Sequence, residues 1–285
     1  SDVRKGAGLL SFMALLVPKI KPFLSKLWAS LSSKEGAARS GQVQMSRIRP
    51  NLRWLRRFFA LQLGREEGEG KQRLQKRLRN ATPLSMWLTI AVDASPWGIG
   101  GVLMKNGAPF RWFADEIHDI DLGILKDKND HDAIRGDLRL QTTWEALALL
   151  VAIRLWRTEE HSGAMVLIQS DSLSALSAIA KQGSSSDAVR RIVYELALDD
   201  ADMDSGLTKL MHIPGLSNKW PDAVSRLWEH INAKKFPYEL AKVERTHVPI
   251  RTVDAFWSSL RAVASALPVA TLNNNRRVVI QFQDQ

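Results

Sequence analysis

Two apolar stretches of this chain each end in an aspartate. The first runs from Met86 to Asp93 and is rich in β-forming residues, and the second runs from Ala164 to Ser170 and is followed at once by Asp171. A continuous apolar run of this length is typical of a strand that is covered on both faces, as in parallel pairing. Because the carboxyl ends of neighbouring strands converge at one edge of an open sheet, we expect Asp93 and Asp171 to lie close together.

The segments around these runs predict a mixed α/β domain. Apolar runs from Ile99 to Met104 and from Pro109 to Phe113 indicate two further strands, joined through an Asn-Gly hairpin turn at Asn106. The remaining predicted elements are a helix that carries Glu145, helices over Ser172 to Gln182 and Ser186 to Asp199, a strand over Leu207 to Ile213, and a helix that begins near Pro221. The predicted order is therefore βββ-α-β-α-α-β-α.

Glu145 and Asp222 complete a set of four carboxylates in four separate local contexts. Carboxylates that are crowded together repel one another unless a cation lies between them, and Mg²⁺ takes oxygen ligands from one or two carboxylates together with substrate phosphates. The set therefore predicts metal-assisted phosphodiester hydrolysis. Taken singly, each aspartate is more typical of a turn or a cap, and Glu145 is equally typical of a helix surface. Only the joint pattern indicates a site.

The net charge of +10 is unevenly distributed along the chain. Residues 1–80 hold 18 Lys and Arg against 5 Asp and Glu, whereas residues 81–285 hold 22 against 25. A basic segment beside a slightly acidic body suits a nuclease, because the backbone phosphates are held while the metal site stays anionic. The alternative is that these basic residues are solvated helix faces that bind nothing. The chain has no cysteine, which excludes disulfides and thiolate metal sites.

The N-terminal part of the chain predicts helices. An apolar stripe at helical spacing is formed by Leu52, Leu55, Phe59 and Leu63, with Arg53, Arg56 and Arg57 off the stripe. The run from Leu9 to Val17 has the size of a signal-peptide core, but Pro18 and several lysines follow it at once, so we expect neither a signal peptide nor a membrane span. The expected location is intracellular, in cytoplasm or nucleus.

Three motifs together resemble the ribonuclease H domain of retroelement reverse transcriptases. The closing segment, HIPGLSNKWPDAVSR, is similar to the family's His, Pro-Gly, Asn and then Asp followed by a Ser-Arg pair, as in retrotransposons. The opening strand of the family is matched by VDASPWGIGGVL, and its third-carboxylate segment by SDSLSAL. This resemblance covers about residues 86–228. A weaker one joins GLLSFMALLVPKIKPFLSKLWASL to the thumb helix of such enzymes.

The resemblance implies a fold and a division of the chain. The implied fold class is α/β, a ribonuclease H-like mixed five-stranded sheet flanked by helices and preceded by a small basic helical segment. Residues 1–80 are then a thumb- or connection-like segment with a charged linker over residues 64–80. Residues 81–230 are the ribonuclease H-like domain, and residues 231–285 are a C-terminal extension without a recognisable motif.

The resemblance also implies a catalytic site. The metal ligands map onto Asp93, Glu145, Asp171 and Asp222, which would hold two Mg²⁺ ions, with Mn²⁺ as a substitute, and His212 falls beside the leaving group. The two ions, about 3.5–4 Å apart, would activate the attacking water and stabilise the leaving 3′ oxygen of RNA paired with DNA. The 2′-hydroxyl and the minor-groove shape would select the RNA–DNA hybrid. A further implied partner is the polymerase part of the same polyprotein.

Several alternatives stay open from the sequence. The chain is otherwise a catalytically silent, nucleic-acid-binding remnant of a polymerase, or a DNA nuclease or resolvase on the same fold. His212 is equally a loop histidine, and Asn218 either holds its loop or the substrate, or caps a helix. The long connection over residues 114–140 carries an acidic cluster that is either a solvated loop or a decoy for metal. No Tyr-x-Asp-Asp motif occurs, so DNA synthesis by this chain is not expected.

Overall fold

The computed structural model describes residues 2–32, 45–63, 87–126, 132–156, 165–202, 208–231, 234–253 and 255–257. The strands are β1 (Trp87–Ala94), β2 (Gly98–Lys105), β3 (Ala108–Glu116), β4 (Met165–Ser170), β5 (Thr208–His212) and β6 (Glu244–Arg245). The helices are α1 (Asp2–Leu16), α2 (Ser25–Ser32), α3 (Met45–Leu63), α4 (Asp119–Leu125), α5 (Gln141–Leu155), α6 (Leu173–Ala180), α7 (Asp187–Asp202) and α8 (Lys219–Ser225). The predicted linker over residues 64–80 lies outside the described residues.

The strands form one mixed sheet in the order β5-β4-β1-β2-β3-β6. Strands β1, β2 and β3 are antiparallel neighbours, whereas β4 is parallel to β1 and β5 is parallel to β4. This arrangement, with helices packed on it, confirms the predicted ribonuclease H-like fold class. The sheet has six strands rather than the predicted five, because the two-residue strand β6 pairs with Arg111 and Trp112 of β3.

The turn between β2 and β3 is the one that its sequence predicts. Asn106 and Gly107 both have positive φ angles, 51° and 82°. A two-residue hairpin turn of the type that matches the twist of its strands needs positive φ at both positions, and Asn-Gly provides this at the lowest cost. The strand limits on either side also agree with the sequence prediction to within three residues.

Alternation along the strands separates two apolar layers. Leu103 and Phe113 face the main core with α5, whereas Val102 and Trp112 face the opposite side with α8. Helix α5 is buried from Thr143 through Ala152, so it is covered on all sides. It lies between the sheet and α7, which explains why apolar residues surround it.

The N-terminal helices pack against the outer side of α7. Their buried cluster joins residues of α1 to α3 with Tyr194, Ala197 and Leu198 of α7. Helix α3 forms as predicted, but its buried face was only partly right, because Leu52 is exposed and Trp54 and Phe58 are buried. The apolar residues of this helix form two overlapping stripes along its surface. Which stripe is buried depends on the packing against α7, which the sequence pattern does not show.

The segment after residue 234 also packs on the sheet domain. The side chain of Arg251 is fully buried and forms hydrogen bonds of 2.7 to 3.1 Å with the carboxylate of Asp121, which is also buried. Asp121 belongs to α4, in the connection whose acidic residues the sequence left open between a solvated loop and a metal decoy. Its carboxylate is instead half of an internal ion pair. Among the described residues, no helix is both long and apolar enough to cross a membrane.

Candidate metal centre

Three carboxylates meet at one edge of the sheet. Asp93 lies near the end of β1, Asp171 directly follows β4, and Glu145 lies in the second turn of α5. One oxygen of each lies within 4.8 Å of the other two. The parallel pairing of β1 with β4 places Ala91 opposite Gln169, and continuing that register by two residues brings Asp93 level with Asp171. The juxtaposition thus follows from strand register.

Burial and then mutual repulsion raise the pKa values of two acids in this group. Burial, and then the charge of Asp171, raise the pKa of Asp93 to about 7, while a hydrogen bond from Ser225 opposes the rise. Burial, followed by the charge of Asp93, raises the pKa of Glu145 well above its usual range. Buried acids that sit so close cannot all ionise unless a positive charge is present. The group therefore offers a cation three carboxylates whose mutual repulsion the cation would relieve.

The two carboxylate oxygens of Glu145 differ in their hydrogen bonds. Its Oε1 accepts a hydrogen bond of 2.9 Å from Gln141, which also donates to the carbonyl of Ala94 at 2.6 Å. Its Oε2 is buried, and no described residue donates a hydrogen bond to it. A buried acceptor without a donor is costly. An all-oxygen, acidic donor set suits a hard divalent cation such as Mg²⁺, so the residues present fit the predicted metal.

Asp222 does not join this close group. Its Oδ1 accepts a hydrogen bond of 2.7 Å from Arg226 Nε, and its Oδ2 pairs with the ammonium of Lys234. Asp222 lies in the first turn of α8, as the sequence predicted. Lys234 comes twelve residues later in a segment without a recognisable motif, so no local pattern could have revealed this pair.

His212 lies beside the group rather than in it. It is the last residue of β5, its side chain is exposed, and its Nε2 lies 3.1 Å from the carbonyl oxygen of Asp171. The loop that follows closes over Asp171, since a Cβ on Gly215 would lie 3.0 Å from Asp171 Oδ2. The structure thus holds the histidine ring against the backbone of Asp171.

Asn218 fastens the same loop to the first strand. Its side chain is almost fully buried, and its Nδ2 donates a hydrogen bond of 2.9 Å to the carbonyl of Val92, next to Asp93. It occupies the N-cap position of α8, but its side chain makes no capping hydrogen bond. Of the readings that the sequence left open, the structure supports the one in which Asn218 holds the loop. Gln141, which bonds Glu145 and the end of β1, was not identified from the sequence, because Gln141 belongs to no motif.

A groove rich in hydroxyl groups is lined by residues that are close in sequence to Glu145 and Asp171. Its cavity volume is about 470 Å³, and one wall carries Thr142 and Thr143 from the first turn of α5, just before Glu145. Another wall carries Ser174 and Ser177 of α6, which follows Asp171. Lys181 adds positive charge, whereas the charge of Arg139 is paired with Asp132 and Asp137. Hydroxyl and cationic side chains are the usual contacts of nucleic-acid phosphates.

Comparison with known proteins adds little to this geometry. No protein-family model and no curated protein matches the chain. Among solved structures, ribonuclease H1 from the halophilic archaeon Halobacterium salinarum NRC-1 is similar, with 16% sequence identity and a TM-score of 0.35. The match covers 48% of this chain and 93% of that protein. A TM-score this low gives no support to a function.

Proposed function

We propose that this chain is a metal-dependent endonuclease of the ribonuclease H type, which cuts the RNA strand of RNA–DNA hybrids. The observation that carries the proposal is the group of Asp93, Glu145 and Asp171, in which a buried carboxylate oxygen has no donor among the described residues. Burial and mutual repulsion make the ionised form of this group unfavourable in the absence of a cation. It becomes favourable once divalent cations are bound.

Each residue of the site has a role in this proposal. Asp93, Glu145, Asp171 and Asp222 would hold two Mg²⁺ ions, or Mn²⁺ in their place, and Asp222 would first release one of its cationic partners. When bound, Mg²⁺ would lower the pKa of a water nucleophile and balance the charge that develops on the leaving 3′ oxygen. His212 is exposed at the rim, where its imidazole moves a proton to or from the leaving group.

The substrate and the biological setting are finer parts of the same proposal. The hydroxyl-lined groove that starts at Thr142 and Ser174 suits a phosphate backbone lying across the site. The His, Pro-Gly, Asn, Asp and Ser-Arg pattern over residues 212–226 supports a retroelement reverse transcriptase as the parent enzyme. In that setting, residues 1–80 are the thumb- or connection-like segment, residues 81–230 the nuclease domain and residues 231–285 an extension. The polymerase part of the polyprotein is then a partner.

The test is a cleavage assay on matched duplexes. Wild-type protein is mixed with end-labelled RNA–DNA hybrid, duplex DNA or duplex RNA, in Mg²⁺ or in EDTA. We expect cuts in the RNA of the hybrid alone, only with metal, and none with Asp171→Asn. Asp119→Asn is the matched control, because Asp119 is an exposed carboxylate in α4. Cleavage of duplex DNA instead would identify a DNA nuclease, and hybrid binding without cleavage would identify a silent remnant.

A further inference from the structure

Two adjacent residues at the end of α8 contact two different carboxylates of the candidate site. The hydroxyl of Ser225 lies 3.1 Å from Asp93 Oδ2, and the Nε of Arg226 lies 2.7 Å from Asp222 Oδ1. Asp93 belongs to the central strand, whereas Asp222 belongs to the helix itself. This dipeptide is the Ser-Arg pair of the closing motif, and the chemistry proposed above gives it no role.

The Ser225 hydroxyl has two acceptors and one hydrogen. It lies 3.1 Å from Asp93 Oδ2 and 3.1 Å from the backbone carbonyl of Asp222. The two distances are equal, so the hydroxyl bridges the Asp93 carboxylate and the backbone of α8. The side chain of Ser225 is fully buried, which keeps water from competing for it. Ser225 thereby orients one oxygen of Asp93 and leaves the other for a cation.

The backbone around Ser225 is also fastened to the end of β1. Its carbonyl accepts a hydrogen bond of 2.9 Å from the hydroxyl of Ser95, two residues after Asp93. A Cβ on Gly98 would lie 2.7 Å from that carbonyl, and a Cβ on Gly100 would lie 2.8 Å from the amide nitrogen of Ser225. The helix end therefore rests directly on β2, at a spacing that only glycine permits.

The guanidinium of Arg226 is bound by a second carboxylate, that of Glu229, in addition to Asp222. Its Nη1 donates a hydrogen bond of 2.9 Å to Glu229 Oε1, whose side chain is 5% exposed, while its Nε binds Asp222. A planar guanidinium that is fixed at two edges gives its partner a defined orientation. Lys234 contacts the other oxygen of Asp222 from a side chain that is 50% exposed, so it is the partner that yields more readily.

We propose that Ser225 and Arg226 are positioning residues that set the orientation and separation of Asp93 and Asp222 for a shared pair of divalent cations. The inference rests on the proposed function, because it assumes that these carboxylates bind metal. Partners that orient metal ligands typically contribute 10- to 100-fold to metal affinity. We expect losses of that size when either contact is removed.

The experiment measures Mn²⁺ binding to the free protein by electron paramagnetic resonance, together with hybrid cleavage across a Mg²⁺ series. Ser225→Ala and Arg226→Lys should each weaken Mn²⁺ binding by about 10- to 100-fold. Their cleavage rates should recover at high Mg²⁺, while the KM for hybrid and the melting temperature stay near wild type. Ser225→Thr, which keeps the hydroxyl, should restore binding. The matched control is Ser30→Ala, since Ser30 is a buried helical serine that bonds a backbone carbonyl in α2.

The outcomes separate this inference from the function beneath it. If wild type binds Mn²⁺ and cuts the hybrid while both variants bind Mn²⁺ equally well, Ser225 and Arg226 are not positioning residues and the function stands. If the variants lose melting temperature and high Mg²⁺ restores no activity, their role is structural and the inference fails. If Ser225→Thr does not fold, Arg226→Lys decides. A wild type that neither binds Mn²⁺ nor cuts overturns the function and this inference together.

Discussion

The ionised form of Asp93 destabilises the folded state, whereas the protonated form does not. Burial and the charge of Asp171 raise its pKa to about 7 from an ordinary value of 3.8. The folded state therefore binds the Asp93 proton more tightly than the unfolded state does. Its favourable contribution is intact below about pH 4 and is lost as pH rises toward 7. Three pKa units correspond to about 4 kcal/mol, which sets the upper limit of the loss.

Asp93→Asn should consequently raise the free energy of unfolding, because an amide does not ionise. In EDTA we expect a gain of about 2 to 4 kcal/mol at pH 8 and less than half of that gain at pH 5, measured by urea denaturation. Adding Mg²⁺ at pH 8 should stabilise wild type, by about 2.7 kcal/mol at one hundred times its dissociation constant, and leave Asp93→Asn unchanged. An equal gain at both pH values would contradict ionisation as the cause.

His212 should affect rate without affecting metal binding. Its Nε2 lies 3.1 Å from the Asp171 carbonyl, so in the proposed mechanism Nδ1 is the atom that exchanges a proton with the leaving group. We expect His212→Ala to lower the turnover number by about 10- to 10⁴-fold, with hybrid affinity near wild type. Glu145→Gln is the contrasting variant, because it should raise the Mg²⁺ concentration that gives half-maximal rate. A similar rise for His212→Ala, or an unchanged rate, would remove the histidine from the mechanism.

Among the elements, those defined by local pattern were predictable and those defined by distant contacts were not. The strand ends that carry Asp93 and Asp171 and the turn at Asn106 follow from short-range periodicity and turn chemistry. The exposure of Leu52 and the pairing of Asp222 with Lys234 depend on tertiary packing. Strand β6 is only two residues long, too short for any periodic signal.

The C-terminal segment is joined to α4 through one buried ion pair. Arg251 is fully buried against Asp121, and it also contacts Asp115 and donates a hydrogen bond of 2.7 Å to the carbonyl of Glu116. Arg251→Ala leaves a buried carboxylate unpaired, so we expect a loss of about 3 to 5 kcal/mol in the free energy of unfolding. The double variant Arg251→Met with Asp121→Leu should lose far less. Thermal and urea unfolding test this, and additive losses would show that the two side chains are not coupled.

At the scale of the whole molecule, the basic N-terminal helices are fixed to the sheet domain. Asn51 of α3 donates hydrogen bonds of 2.9 Å both to the carbonyl of Phe23 and to the hydroxyl of Tyr194 in α7. The rings of Phe23 and Trp54 lie 5.1 and 4.9 Å from that of Tyr194. Deleting residues 1–80 would uncover this apolar contact as well as remove charge. Point substitutions on the outer face of α3 separate the two effects.

Arg49, Arg56 and Arg57 are exposed on α3, away from its contact with α7. If this face holds the backbone of the hybrid, replacing all three with glutamine should weaken binding and flatten its salt dependence. Each lost phosphate contact should reduce the slope of log K against log salt by about 0.9 on B-DNA, and we expect a similar value for a hybrid. Fluorescence anisotropy between 50 and 200 mM salt, in an Asp171→Asn background that does not cut, measures that slope.

A control that replaces the exposed Lys209, Lys235 and Lys242 with glutamine makes the same change in net charge elsewhere. If the two triple variants have equal slopes, the α3 arginines contribute only general charge. If wild type and the lysine control both have a steeper slope than the α3 variant, the α3 arginines contact the phosphates.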